Sequence, residues 1–224
     1  MDVGKEAGFS IGCYTKWNDD QCPISRRFPM VAQREPWYLT IDEWRELERS
    51  SHDAKHEYID GQVYFMSGGN ANHARIASNT LRAIEDALGD SPRNVYNSDL
   101  SVRLSETRYT YPDVSVTCDE GDQGDIDMVQ SPRLIIEVLS ESTEAYNRGK
   151  KFALYRECPT IEEYVLIATD HQAVEVFQRT SDGWMVYHAH IYGPGDIIEL
   201  ASIGVQFPLA TLYMRTTVRE RLED

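Results

Sequence analysis

The sequence predicts one mixed α/β domain spanning residues 37–215, and three observations predict it. The chain has 224 residues, the size of one domain with a single hydrophobic core. Its apolar periodicity switches between helical and strand-like along the chain, giving helix, hairpin, helix, strands, helix and strands in turn. A run of six residues, Leu134 to Leu139, reads as a buried strand, and a helix separates it from the strands that follow.

Residues 1–36 contain Gly4, Gly8, Gly12, Pro23, Pro29 and Pro36 without periodicity, and read as an irregular extension. A helix starts at Thr40, where Glu43 stands at capping-box spacing and Leu39 and Trp44 can form the accompanying staple. It is expected to reach Arg49. Glu57-Tyr58-Ile59 and Val63-Tyr64-Phe65-Met66 flank Asp60-Gly61, the pattern of a two-residue hairpin. Asn72 is the expected cap of a second helix, striped by Ile76, Leu81, Ile84 and Leu88 and ended by Gly89. Leu100, Val102 and Leu104 alternate as a strand, as do Val114 and Val116, with a polar turn from Ser105 to Arg108 between them. Residues 119–131 read as a polar connection. A helix is expected over Asn147–Glu157, then strands over Glu163–Ala168, Ala173–Gln178 and Trp184–Ile191. A short strand pair near Ile197 and Val205 and a helix from Pro208 close the domain, and residues 216–224 read as a frayed tail.

Composition narrows the class. A hydrophobic share of 41% with 13 Tyr and 4 Trp suits a well-filled core rather than disorder. With 22 basic and 37 acidic residues, the net charge of −15 opposes a polyanionic partner on average. A bound divalent cation would change the local sign. The four cysteines, Cys13, Cys22, Cys118 and Cys158, have no C-x-x-C spacing, which argues against a zinc ribbon. No run approaches the roughly 18 apolar residues of a membrane span, and no secretory signal is visible, so a reduced, cytoplasmic protein is expected.

The chemistry centres on acids in strands. Glu137 interrupts Leu134-Ile135-Ile136-Glu137-Val138-Leu139, where an unpaired charge is costly to bury. Asp113 opens the strand Val114-Ser115-Val116. Two carboxylates on adjacent strands repel unless they share a proton or a cation, and Mg²⁺ or Mn²⁺ is suited to oxygen ligands. Lys151 lies 14 residues after Glu137 on the next helix. It reads either as a solvated helix residue or as an ammonium reaching back over the acids to orient water and stabilise developing charge. Ser67-Gly68-Gly69-Asn70 reads either as a flexible connection or as an anion-receiving helix start.

The strings Tyr111-Pro112-Asp113-Val114-Ser115-Val116, Glu137-Val138-Leu139-Ser140, Ser142-Thr143, Arg148-Gly149-Lys150-Lys151-Phe152, Tyr155 and Glu163-Tyr164-Val165-Leu166 resemble the Uma-type endonuclease family. That family is abundant in cyanobacteria and is itself similar to the PD-(D/E)XK nuclease superfamily. Glu57-Tyr58-Ile59-Asp60-Gly61 and His73 match its pattern as well, and the likeness covers roughly residues 38–215. It implies a restriction-endonuclease-like mixed β-sheet flanked by helices, with an antiparallel C-terminal part. It implies that Asp113 and Glu137 ligate the metal with a backbone carbonyl of the same strand, that of Val138. Lys151 would assist the attacking water, with Lys150 as its competitor. Glu57 would be an accessory acid, either as a second ligand or behind the first, although a hairpin surface charge is the plainer reading. His73 would contact substrate phosphate, the alternative being a packed histidine, and Lys150 is a second candidate for substrate contact. The superfamily's strand lysine is missing here, since Glu137-Val138-Leu139 occupies that motif. Asn147 stands where family members usually carry Asp, and Asn caps a helix equally well.

The expected function is therefore Mg²⁺- or Mn²⁺-dependent hydrolysis of nucleic-acid phosphodiesters, with DNA as partner and a homodimer as the form that cuts both strands. The alternatives are a nuclease-fold binding or assembly module of little turnover, and a hydrolase of a smaller phosphodiester. Clustering of Arg75, Arg82, Arg103, Arg148 and Lys150 around the site would favour DNA, and a ring of uncompensated acids would oppose it.

Overall fold

The computed structural model describes residues 37–51, 54–66, 68–185 and 189–221. The expected extension, 1–36, lies outside the described residues, as do the last three of the tail. After β1 (Trp37–Tyr38), α1 (Ile41–Ser50) begins with the expected capping box: Thr40 Oγ1 accepts from Glu43 N–H at 3.3 Å, and Glu43 Oε2 accepts from Thr40 N–H at 2.8 Å. Trp44 is the buried residue of α1. It packs on Tyr58 and Tyr109 at centroid distances of 5.4 and 4.8 Å and donates its indole N–H to the His56 carbonyl at 2.8 Å.

The hairpin joins β2 (His56–Ile59) to β3 (Gln62–Phe65), with Asp60 and Gly61 at φ values of 50° and 92°. Two positive φ values in a two-residue loop match the right-handed twist of the strands, which is why Asp-Gly marks such turns. The second helix, α2 (Ala71–Leu88), is capped by Asn70 rather than Asn72: Asn70 Oδ1 accepts from His73 N–H at 3.0 Å. Asn72 lies inside the helix, and its amide donates to Thr217 Oγ1 at 3.0 Å, so the C-terminal segment claims the side chain.

Four strands follow: β4 (Asn94–Asn97), β5 (Ser101–Ser105), β6 (Arg108–Thr110) and β7 (Val114–Thr117). The connection after β7 holds the short β8 (Met128–Val129). Buried Asp122 organises it by accepting from the Gln130 and Ser131 N–H groups, both at 2.8 Å, and from Thr117 Oγ1 at 2.9 Å. The buried strand is β9 (Pro132–Val138). The helix after it starts earlier than expected and is not uniform: an α turn, α3 (Glu144–Tyr146), passes through a π-helical stretch at Asn147–Lys151 into α4 (Phe152–Glu157). Then come β10 (Glu163–Ile167) and β11 (Val174–Thr180). In place of one strand over 184–191 there are two short ones, β12 (Gly183–Trp184) and β13 (His190–Tyr192). The pair β14 (Ile197–Leu200) and β15 (Val205–Pro208) leads into a single 3₁₀ turn, Leu209–Thr211, where a helix was expected. Beyond it, Arg219 C=O accepts from Gln172 N–H at 2.9 Å, so residues 217–221 are held rather than frayed.

The central sheet has the order β12-β11-β10-β9-β7-β4, with β13 on β11. β9 and β10 are parallel, bridged by the α3–α4 segment, and the other pairs are antiparallel. A second sheet runs β1-β3-β2-β6-β5-β8. Side chains alternate along β9. Leu134, Ile136 and Val138 pack with Ile76 and Ile84 of α2 and with β14 and β15; Ile135 and Leu139 pack with Phe152, Leu154 and Tyr155 of α4 and with Val102 of the second sheet. The same alternation sends Glu137 to the α4 side, between the two sheets. Buried Glu163 latches the β14–β15 turn to β10, accepting from the Ala201 and Ser202 N–H groups, both at 3.0 Å, and from Gln178 Nε2 at 2.9 Å.

Two substitutions separate local from tertiary support. Thr40→Ala, which removes one cap, is expected to cost about 1 kcal/mol in urea unfolding. Glu163→Ala, which orphans several buried donors, is expected to cost about 3 kcal/mol or more.

Candidate active site

β2, β7, β9 and the π-helical stretch each bring one ionisable residue to the same place. Lys151 Nζ lies 2.9 Å from Glu57 Oε1 and 2.7 Å from Glu137 Oε1, with all three side chains no more than 5% exposed. The wider π turn sets the last residue of that stretch, Lys151, facing inward among apolar neighbours; such turns are frequent at functional sites. Tyr155, the next residue of the helix on that face, donates its hydroxyl to Glu137 Oε1 at 2.7 Å. Glu57 Oε1 also accepts from Tyr111 N–H at 3.1 Å. Asp113, just before β7, accepts from Val138 N–H at 2.7 Å, so the backbone of β9 orients it beside Glu137. His73 Nε2 lies 3.5 Å from Asp113 Oδ2.

The electrostatics follow from three carboxylates facing one ammonium in a dry setting. Burial pushes the Glu137 carboxyl up to about 7, opposed by the Lys151 charge and reinforced by the Asp113 and Glu57 charges. Burial alone would lower Lys151, but Glu137 and Glu57 on either side hold it well above the ordinary lysine range. Burial likewise works against His73, yet its hydrogen bond to Asp113 and the Asp113 charge leave it above the ordinary histidine value.

An open cleft of about 870 Å³ leads to this centre, with His73, Asp113, Tyr111, Lys55, Asp99 and Glu48 among its walls. Glu57, Glu137 and Lys151 lie behind the wall rather than on it. Gly69 lies close over the His73 imidazole: a Cβ at Gly69 would come within 2.4 Å of the ring. The glycine pair before α2 thus seats a histidine, a role its sequence signal did not suggest. Tyr146, at the end of α3, also escaped notice in the sequence; its hydroxyl is buried without a partner, and the Glu57 and Lys151 charges both act on it.

The structure brings Asp113, Glu137, Lys151, Glu57 and His73 into one neighbourhood. Lys150 points elsewhere: its ammonium donates to Tyr64 Oη at 2.5 Å and lies 4.8 Å over that ring. Asn147 is not at a cap but opens the π stretch, its carbonyl accepting from Tyr164 at 3.1 Å. Cys118 and Cys158 are free thiols, whereas Cys13 and Cys22 lie outside the described residues. Among the described residues, no helix is long and apolar enough to cross a membrane.

Could the centre hold a divalent cation? Among the described residues, no group of three or more His, Cys, Asp and Glu stands in ligating arrangement. Mg²⁺ is commonly held by only one or two carboxylates, with water and substrate phosphate completing its shell. Asp113 and Glu137 supply such a pair. Asp113 Oδ1 and Glu137 Oε2 take no hydrogen bond from the described residues, while the opposite oxygens are anchored by Val138 N–H and by Tyr155 and Lys151. The donor set therefore fits a hard cation in kind.

The comparisons with known proteins point the same way. The family model Uma2, described as "Putative restriction endonuclease", matches residues 41–211. The uncharacterized protein slr1290 of Synechocystis sp. is 38% identical over 191 residues, covering 84% of this chain and 94% of that protein. The uncharacterized protein sll1609 of the same organism is 34% identical over 147 residues, covering 64% and 82%. A crystal structure from Anabaena variabilis, of "a putative nuclease belonging to DUF820", matches with a TM-score of 0.63 at 18% identity. The match covers 78% of this chain and 97% of that one and shows a shared fold.

Lys151→Met should cost about 3–5 kcal/mol by urea unfolding in chelator, because it leaves two buried carboxylates without a counter-ion. Lys150→Met, at an exposed position, should change stability by no more than about 0.5 kcal/mol. The pH dependence has a definite sign. Glu137 is raised from 4.5 to about 7, so in that window the folded state keeps a proton that the unfolded chain has released. Rising pH should therefore lower stability by on the order of 1 kcal/mol per unit between those values. Unfolding titrations should show this slope in the wild type and lose it in Glu137→Gln.

Proposed function

The chain belongs to the Uma2 family of restriction-endonuclease-like proteins, and from that premise we propose that it is a metal-dependent endonuclease that hydrolyses DNA phosphodiester bonds at the Asp113–Glu137–Lys151 centre. The observation that carries the reading is a fully buried ammonium, Lys151, clasped by two acids beside a third on the neighbouring strand. A structural ion pair needs one acid for each base. Three acids around one base leave surplus negative charge, and such surplus is what a cation site requires.

In this reading Asp113 and Glu137, with the Val138 carbonyl, hold Mg²⁺ or Mn²⁺. The bound cation supplies Lewis acidity toward a phosphoryl oxygen and an acidified water. Asp113 keeps its aim through Val138 N–H, and Glu137 through Tyr155. Lys151 stands where it can face the charge that builds on the phosphoryl oxygens as water adds to phosphorus and the ester P–O bond breaks. Glu57 holds the ammonium from the far side and keeps it protonated. His73, on the cleft wall beside Asp113, is placed to meet a phosphate entering from solvent. A homodimer would pair two such centres across a duplex.

A second reading, a binding module or a hydrolase of a smaller phosphodiester, draws on the cleft itself. Of its charged walls, Glu48, Asp99 and Asp113 are acidic, and Lys55 is engaged with Asp99 at 2.5 Å.

Calorimetric titration of Mn²⁺ into the wild type, Asp113→Ala and Glu137→Ala, with plasmid nicking under the same conditions, decides between them. The expected result is binding in the wild type alone and a loss of nicking of at least about 100-fold in both variants. Binding without nicking would favour the second reading. A wild type that takes up no Mn²⁺ even with DNA present would return both acids to a structural role.

A further inference from the structure

Most basic side chains of the described residues are neutralised. Arg45, Arg49, Arg103, Arg108, Arg133 and Arg148 each pair with at least one acid, Arg148 with both Glu144 and Glu175. The exposed Arg75 and Arg215 break this pattern. Neither makes an ion pair or hydrogen bond among the described residues, and with Arg82 they line one small depression of about 70 Å³ together with Asn79, Thr211 and Met214. Arg82 is 70% exposed, and its nearest acid, Asp86, lies at 3.8 Å.

The depression is built, not incidental. Asn79 Nδ2 donates to both the Leu212 and the Met214 carbonyls at 2.9 Å, fastening the segment after the 3₁₀ turn onto α2. Asn72 holds the same segment further along, through Thr217. Between these two fastenings Arg215 sits at φ 59°. A non-glycine side chain in the left-handed region is uncommon and costs energy, and such outliers concentrate where a side chain must be aimed. Arg75, Asn79 and Arg82 fall on one helical face at i, i+4 and i+7 spacing. The volume is that of two or three waters, taking about 30 Å³ for each. Three guanidiniums around so small a space suit a compact tetrahedral oxyanion, for which Arg is the best-matched side chain. On a chain of net charge −15, concentrated positive charge is conspicuous.

We infer that Arg75, Arg82 and Arg215 form a phosphate-binding site that takes a backbone phosphate of nucleic acid outside the catalytic cleft. The identity of the anion rests on the nuclease reading; the site itself does not. α2 connects the two places. His73, Ala77 and Leu81 line the cleft, and Arg75, Asn79 and Arg82 line the depression on the neighbouring exposed face of the same helix. A helix with its side chains is about 10–12 Å across, or about three steps along a strand at 3.4 Å each. A strand crossing α2 would thus meet the arginines about three nucleotides from the phosphate at Asp113. The site would supply the affinity that the acidic cleft lacks.

The test uses the full chain, a fluorescein-labelled 20-base-pair duplex and chelator, with binding read by anisotropy across a salt series. The double variant Arg75→Gln/Arg215→Asn is compared with Arg45→Gln/Arg49→Gln, which removes the same charge from α1; Asn suits the left-handed backbone at 215. In the first variant, affinity should fall at least about 10-fold and the salt slope should shrink by about 2, one per lost phosphate contact. The control should match the wild type. Equal effects of the two variants, or no duplex binding by the wild type, would overturn the site. Plasmid nicking separates the two ideas. Normal wild-type nicking with unchanged binding by the arginine variant sinks this site alone. Arginine-dependent binding without any nicking upholds the site and sinks the nuclease reading.

Discussion

One buried ammonium governs the centre of this protein. Lys151 lies between Glu57 and Glu137, and those three residues come from a hairpin, a π-helical stretch and the strand β9. Removing two carboxylates and an ammonium from water is expensive, and mutual attraction in a low-dielectric interior offsets that cost only when the geometry is good. The geometry is good because each acid has a second anchor: Tyr111 N–H for Glu57 and the Tyr155 hydroxyl for Glu137. The second sheet and α4 are thereby bound to the central sheet by charge as well as by the apolar contacts around Phe152 and Tyr164.

The legible part of the fold lay where local chemistry and tertiary structure agree. Thr40 and Glu43, Asp60 and Gly61, and the alternation along β7 and β9 each specify their element through neighbours a few residues away. What escaped reading depends on distant partners. β4 and β6 are short and owe their existence to β7, β2 and β5. Asn70 and Asn72 are equally good caps in sequence, and only Thr217, far along the chain, decides between them. The expected helix after Pro208 collapses to one 3₁₀ turn because its carbonyls are claimed by Asn79 of α2.

The candidate site divides in the same way. An acid inside an apolar strand is visible in sequence as an anomaly, so Glu137 stood out, and Asp113 followed from its place at the mouth of the adjacent strand. That Lys151 is wholly buried could not be read, because a lysine on a regular helix of this length would be expected in water; the π stretch turns it inward. Nor does any local signal reveal that Gly69 makes room for His73, or that Arg215 joins Arg75 across more than half the chain. The distribution of charge carries a related lesson. The acidic total conceals a surface on which most cations are spoken for, so the few unpaired ones weigh more than their number suggests.

The clasp around Lys151 also fixes when the centre can come into being. Glu57 and Lys151 are separated by 94 positions, and Asp113 is aimed only once β7 has paired with β9. Contacts of such long range close late, after shorter loops have formed and their entropy has been lost. A chain still emerging during synthesis has its acids and its lysine separately hydrated and holds no assembled site. Latency before completion is therefore built into the order of assembly, with no inhibitor or pro-segment needed to keep the unfinished protein inert.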